Sequence, residues 1–163
     1  MDEHIKILKL MSEVTNRIDL NEFAKSVDST PKQVLQGMDE LSKTDFVKKT
    51  GGGYGITEKG KTLLKAYREV PENIGFVFYL GIGQPTNLKA KSLKEFQEQI
   101  KKVDVVSVEF HMSRSDFQNW IKSTINDDIL ADEFSKISST NIRGEELREE
   151  ILKIVGMKYY INP

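Results

Sequence analysis

His111, Arg114 and Asp116 bring a titratable ring, a fixed cation and a carboxylate close together in the chain. The stretch Val105–His111 alternates apolar and polar side chains, which predicts a strand ending at His111. A helix is expected from about residue 114. A helix N-terminus offers free N–H groups and positive potential, so an anion would be welcome there. Arg114 would add a two-pronged contact, and His111 a donor that strengthens on protonation. Trp120 would form a wall, giving a site for a small anionic ligand. The alternative is structural: Asp116 caps the helix, Arg114 pairs with it, and His111 bonds a backbone carbonyl.

Other chemistry is scarce. Cys is absent and His4 and His111 are the two histidines, so thiol chemistry, disulfides and His-rich metal sites are excluded. Gly81-Ile82-Gly83 follows an expected strand but lacks the third glycine of a dinucleotide loop. The pairs Asp127/Asp128 and Glu145/Glu146 fall at expected helix starts, where carboxylates favour the dipole. No Ser/His/Asp order, metal-ligand spacing or phosphate loop occurs. The expectation is a protein without catalytic residues, cofactor or metal.

The 163 residues allow one domain or two small ones. Hydrophobic residues at 38% and charged residues at 30% match a globular chain. A net charge of -1 excludes holding nucleic acid by bulk charge, so DNA binding would need a local patch. No run approaches the ~18 apolar residues of a membrane span. With no leader-like start, a cytoplasmic location and no membrane partner are expected.

Glu69–Gly75 contains Pro71, Asn73 and Gly75 and reads as a break, so domains are expected at 1–70 and 75–163. In the first, Ile5, Leu8, Met11 and Val14 predict a helix over about 3–15, followed by a short extended link at 17–19. Asp19 stands three residues before Glu22, the spacing of a capping box over a second short helix. Thr30-Pro31-Lys32-Gln33 is a strong start for a third helix, with Val34, Leu35, Met38 and Leu41 inward. Lys32, Gln33, Gln36, Gly37, Glu40 and Lys43 are left on its outer face. Residues 45–50 and 54–56 form a hairpin around Gly51-Gly52-Gly53, and Thr57 starts another helix.

The capped, Pro-led third helix, the exit Leu41…Phe46-Val47 and the string Tyr54-Gly-Ile-Thr57-Glu-Lys-Gly60 resemble the winged helix-turn-helix family over about residues 3–68. That resemblance implies a three-helix core with a β-hairpin wing, and double-stranded DNA as partner. The third helix would enter the major groove and the wing would lie beside it. Carried over, the groove-facing residues are Lys32, Gln33, Gln36 and Lys43, and the wing residues are Lys48, Lys49 and Tyr54. Gln suits adenine, and Lys suits guanine or phosphate. Members of the family also dock proteins, and Asp39 and Glu40 on the same helix keep that alternative open.

The second part reads as a small α+β domain. A strand is expected at 75–81, a loop at 82–87, a helix at 92–102 started by Ser92 and Glu95, and the strand ending at His111. Helices follow at about 114–125, 128–137 and 144–155, with Gly156 as a stop and 157–161 as a closing strand. The run from Phe76 through Trp120, with Leu130-Ala131 and Glu146-Leu-Arg148, resembles a family of microbial domains of unknown function over about 75–156. It carries no implied activity. The combined expectation is an α+β transcriptional regulator that binds DNA as a homodimer. Its second domain would supply dimerisation, ligand sensing or a partner surface. The alternative is a protein-docking adaptor.

Overall fold

The structure is a computed structural model that describes residues 2–162. It is mixed α+β, with helices predominating and two small antiparallel sheets. The chain forms two compact units, Met1–Lys65 and Ala66–Pro163. The division falls earlier than the Pro71 break, and residues 69 and 70 bond within the second unit. The Val70 N–H donates to the Lys91 carbonyl at 2.7 Å, and Lys91 pairs with Glu69.

In the first unit, α1 (Glu3–Glu13) starts at Asp2, whose side chain accepts the His4 N–H. The link at 14–19 is irregular rather than a strand. Asp19 then accepts from the N–H groups of Asn21 and Glu22 to begin α2 (Leu20–Ser26). In α3 (Pro31–Lys43) both halves of the Thr30–Gln33 capping box form, with Pro31 in the first turn. Ile5, Ile7 and Leu8 of α1 pack with Phe23, Val34, Met38 and Leu41 in the core. Leu35, expected inside, is 45% exposed. Gly37, expected outside, is buried. It is the close-approach point of α1 and α3: a Cβ there would lie 2.7 Å from Ile7 Cδ1.

Strands β1 (Val47–Thr50) and β2 (Gly53–Ile56) pair antiparallel, with Lys48 opposite Gly55 and Lys49 opposite Tyr54. Thr57 ties this hairpin to α4 (Glu58–Tyr67). Its hydroxyl donates to the Asp45 carbonyl at 2.6 Å and accepts the Gly60 N–H at 3.0 Å. Gly60 is required because the Phe46 carbonyl occupies the space a Cβ would need. Lys59 donates to the Thr44 carbonyl at 2.7 Å. The string Thr57–Gly60 therefore works as a clasp between hairpin and helix.

The second unit opens with β3 (Phe76–Gly81) and β4 (Gln84–Ala90), an antiparallel hairpin turned at Gly83, where φ is +71°. The expected loop at 82–87 is thus mostly strand. Pro85 misled the reading, since proline is tolerated only at edges and bulges, and here it lies opposite Tyr79 at an irregular step. After α5 (Leu93–Lys102), the expected strand at 105–111 is a helix, α6 (Val105–Ser113). Asp104 caps it by accepting the Val106 N–H at 2.9 Å. Its buried residues, Ser107, Val108, His111 and Met112, follow helical spacing that the run of valines obscured. No strand–helix–strand crossover forms: the sheet is a local hairpin.

Helix α7 (Asp116–Trp120) runs into a π-helical turn, Ile121–Ile125, and Asn126 then takes a positive φ of 61°. Next come α8 (Asp128–Ser139) and α9 (Gly144–Tyr159). Gly156 is buried inside α9 and does not stop it. The helix takes in residues 157–159 of the expected closing strand, and Tyr160 caps it with φ 57°. Phe76, Phe78, Phe96, Phe117 and Phe134 pack around the centre of this unit. Among the described residues no helix is long and apolar enough to cross a membrane.

Candidate functional site

Two groups of residues were expected to carry function, and the structure treats them differently. His111 is 3% exposed on α6. Its Nε2 accepts the Tyr79 N–H at 2.8 Å, and its Nδ1 lies 2.8 Å from an Asp116 oxygen. Tyr79 is a donor, so Nε2 must be bare, and the ring proton sits on Nδ1 facing Asp116. Burial pushes the His111 pKa below its ordinary value, and the nearby Arg114 charge adds to this, although Asp116 opposes both. Arg114 Nε reaches the same Asp116 oxygen at 3.3 Å, and its guanidinium lies 5.1 Å from the Phe110 ring centre.

In this geometry the residues expected to hold an anion are engaged within the fold. Both ring nitrogens of His111 are used inside the fold, and the carboxylate of Asp116 already faces Arg114. Asp116 does not cap its helix either: Ser115 holds the cap position, with no side-chain bond. Trp120 is not a pocket wall. Its indole N–H donates to the Ile74 carbonyl at 2.9 Å, and its ring stacks on Phe96 at 5.7 Å. The four residues form a brace between α6, α7 and the β3 hairpin.

One member of each acidic pair is likewise occupied. Asp127 caps α8 through the Leu130 N–H at 2.9 Å and takes Lys158 at 2.6 Å and the Tyr159 hydroxyl. Glu145 holds Arg148 at 2.8 Å. Arg148 in turn donates to the Val103 carbonyl at 2.8 Å and to the Ile100 carbonyl, closing the end of α5. Among the described residues no group of three His, Asp or Glu side chains gathers as a metal site would need.

The candidates on α3 and the first hairpin lie on exposed surface, but they are not equally free. Gln33 is turned back to Thr30, its Oε1 accepting the backbone N–H at 2.9 Å. The Gln36 amide donates to Glu40 at 3.0 Å, and His4 reaches the other Glu40 oxygen at 2.9 Å. The Gln36 bond holds the Glu40 carboxyl below its ordinary range, with His4 assisting against a small effect of burial. Lys43 is paired with Asp39 at 2.9 Å. Lys32, Lys48 and Lys49 are exposed, and none forms an ion pair among the described residues. Lys49 lies 5.8 Å from the centre of the Tyr54 ring. Lys43 on α3 is thus neutralised by its neighbour, while Lys48 and Lys49 on the adjoining strand β1 carry no ion pair among the described residues.

Sequence reasoning passed over Arg17. It is exposed on the link before α2, and its guanidinium lies across the backbone of Gly52 in the hairpin tip. The signal available was positional: a lone Arg facing a three-glycine turn. No curated protein and no solved structure matches the chain. The model of a family of unknown function, DUF5752, matches residues 73–161, which covers the second unit from its first strand to the end of α9 and more than half of the chain; the chain belongs to that family.

Proposed function

We propose that the first unit is a winged helix-turn-helix that binds double-stranded DNA, and that the protein acts as a transcriptional regulator. The observation that carries this reading is the pairing of a Pro-led, box-capped helix, α3, with an antiparallel hairpin that displays Lys48 and Lys49. In this docking mode the helix lies in the major groove and the hairpin tracks the phosphates beside it. Lys32 and Gln36 are the base-edge candidates on α3. Gln33 acts on the fold through its cap. The second unit then supplies dimerisation, ligand sensing or a partner surface. Exposed Ile82, Ile129 and Met157, at 83%, 69% and 70%, support a contact role for it.

Titration of pooled duplex fragments at low salt tests this. Binding at roughly micromolar protein is expected, with log K falling by about 0.9 per neutralised phosphate in log salt. Absence of binding under those conditions defeats the reading. The second reading is a protein-docking adaptor. Leu35, 45% exposed on α3 one helical turn before Asp39, favours it, because an exposed apolar side chain near a carboxylate suits a protein surface better than phosphate.

A further inference from the structure

The first unit contains a cleft of about 790 Å³ between the α1–α2 link, α3 and the hairpin. Met11, Leu20, Phe23, Met38 and Ile56 are its apolar lining. That volume lies within the usual range for small-molecule sites, which combine an apolar body with a few placed polar groups. Among the described residues lining it, Arg17 is the single charged side chain, and no Asp or Glu is present. Arg17 makes no ion pair among the described residues, and it rests on Gly52, where any side chain would displace it. The wall thus combines an apolar floor with the neutral polar groups of Thr15, Asn16, Thr50 and Tyr54 and one forked cation without an ion pair.

We propose that this cleft binds an amphipathic organic carboxylate, its chain or ring on the apolar lining and its carboxylate against Arg17. Charge complementarity selects a single negative charge: one guanidinium matches one carboxylate through two parallel N–H···O bonds. A neutral amphiphile would leave that guanidinium without its anion. A cationic one would be repelled. The proposal does not depend on whether the partner of α3 is DNA or protein.

The test uses the full chain, with octanoate, 1-octanol and octyltrimethylammonium as probes. Calorimetry gives affinity, and amide NMR gives location. Octanoate is expected to shift the amides of Arg17, Leu35 and Gly51–Tyr54 saturably, with 1-octanol about tenfold weaker and the cation weaker still. Arg17→Gln should bring octanoate down to the level of 1-octanol while leaving 1-octanol unchanged. Arg17→Lys should retain part of the preference, because it keeps the charge and loses the fork. Arg17 is exposed and unbonded, so both variants should fold. Equal affinity for octanoate and 1-octanol, no effect of Arg17→Gln, shifts confined to other residues, or no saturable binding would each overturn the proposal.

Discussion

His111 Nε2 takes the place of a backbone acceptor for the Tyr79 N–H, at 2.8 Å, where β3 and β4 fall out of regular register. The partner position on β4 is Pro85, and the register shifts on both sides of this pair. A side chain from α6 thus completes a strand at its weakest step. The same ring is held in orientation by Asp116 at 2.8 Å. Protonating Nε2 would set two donors face to face.

The second unit should accordingly lose stability on acidification. In the unfolded chain His111 takes up a proton near the ordinary value of about 6.5. In the fold its pKa is lowered, chiefly by burial. Between the two values the unfolded state binds more protons, so unfolding free energy rises with pH there and falls as pH drops below about 6.5. Asp116 and Arg114 are the charged groups that face the ring. Denaturant melts from pH 7.5 to 5 should show the loss, and His111→Ala should remove this pH dependence. That variant should also cost roughly 1–3 kcal/mol for the orphaned Tyr79 N–H. An unchanged slope in His111→Ala would assign the pH effect to another group.

Local signals were readable wherever a side chain acts on its own neighbours. Thr30-Pro31 with Gln33, Asp19 with its following N–H groups, and Ser92 with Glu95 each mark a helix start that the structure contains. What failed depended on distant partners. Val105–Val108 reads as strand because valine favours strands, but packing of Ser107, Val108, His111 and Met112 decides for helix. Gln84–Ala90 has poor strand propensity and is held as a strand by β3 alone. Gly37 was invisible as a contact because only the fold brings Ile7 against it. For the candidate sites, residue types identified the polar clusters. They did not reveal that Glu40 occupies Gln36 or that Asp116 occupies His111.

Gly37 and Ile7 should be energetically coupled. Gly37→Ala gains about 1 kcal/mol of helix propensity, but its methyl would stand 2.7 Å from Ile7 Cδ1, inside a packed core. Ile7→Val removes that carbon and alone should cost ~0.5–1.5 kcal/mol as a small cavity. In the Gly37→Ala background the added methyl partly fills the space, so Ile7→Val should cost less. A double-mutant cycle from chemical denaturation measures this coupling. Strict additivity would mean that α1 and α3 separate enough to absorb the methyl.

Asp127 should be the acid-labile point between α8 and α9. Burial pushes its carboxyl up, yet the bonds from Lys158, Tyr159 and the Leu130 N–H together hold it below its ordinary value. The contribution is therefore present above the ordinary value of about 3.8 and lost as pH falls through the lowered folded one. Asp127→Ala should cost at least the ~0.5–2 kcal/mol of a cap. Tyr159→Phe should cost less, and hydrogen exchange should rise at the start of α8 in Asp127→Ala alone. Equal exchange in both variants would show that the cap is not what orders α8.

Glu40 should act as a brake on DNA binding. It is ionised, 45% exposed in its side chain, and holds the amide of Gln36 at 3.0 Å. If α3 docks in a groove, that charge approaches phosphates and keeps Gln36 from a base edge. Two charges about 4 Å apart in water interact by about 1 kcal/mol, so removing one should tighten binding roughly fivefold. Glu40→Gln is therefore expected to bind duplex more tightly at low salt, with the gain shrinking as salt screens it. Lys48→Ala should do the opposite and reduce the slope of log K against log salt by about 0.9 in magnitude. Anisotropy titrations of both variants across salt concentrations separate the roles. A weaker duplex with Lys48→Ala but no change with Glu40→Gln would place the hairpin, and not α3, against DNA. No change in either variant would favour the adaptor reading, where Glu40 and the exposed Leu35 of the same helix would instead be needed to hold a protein partner.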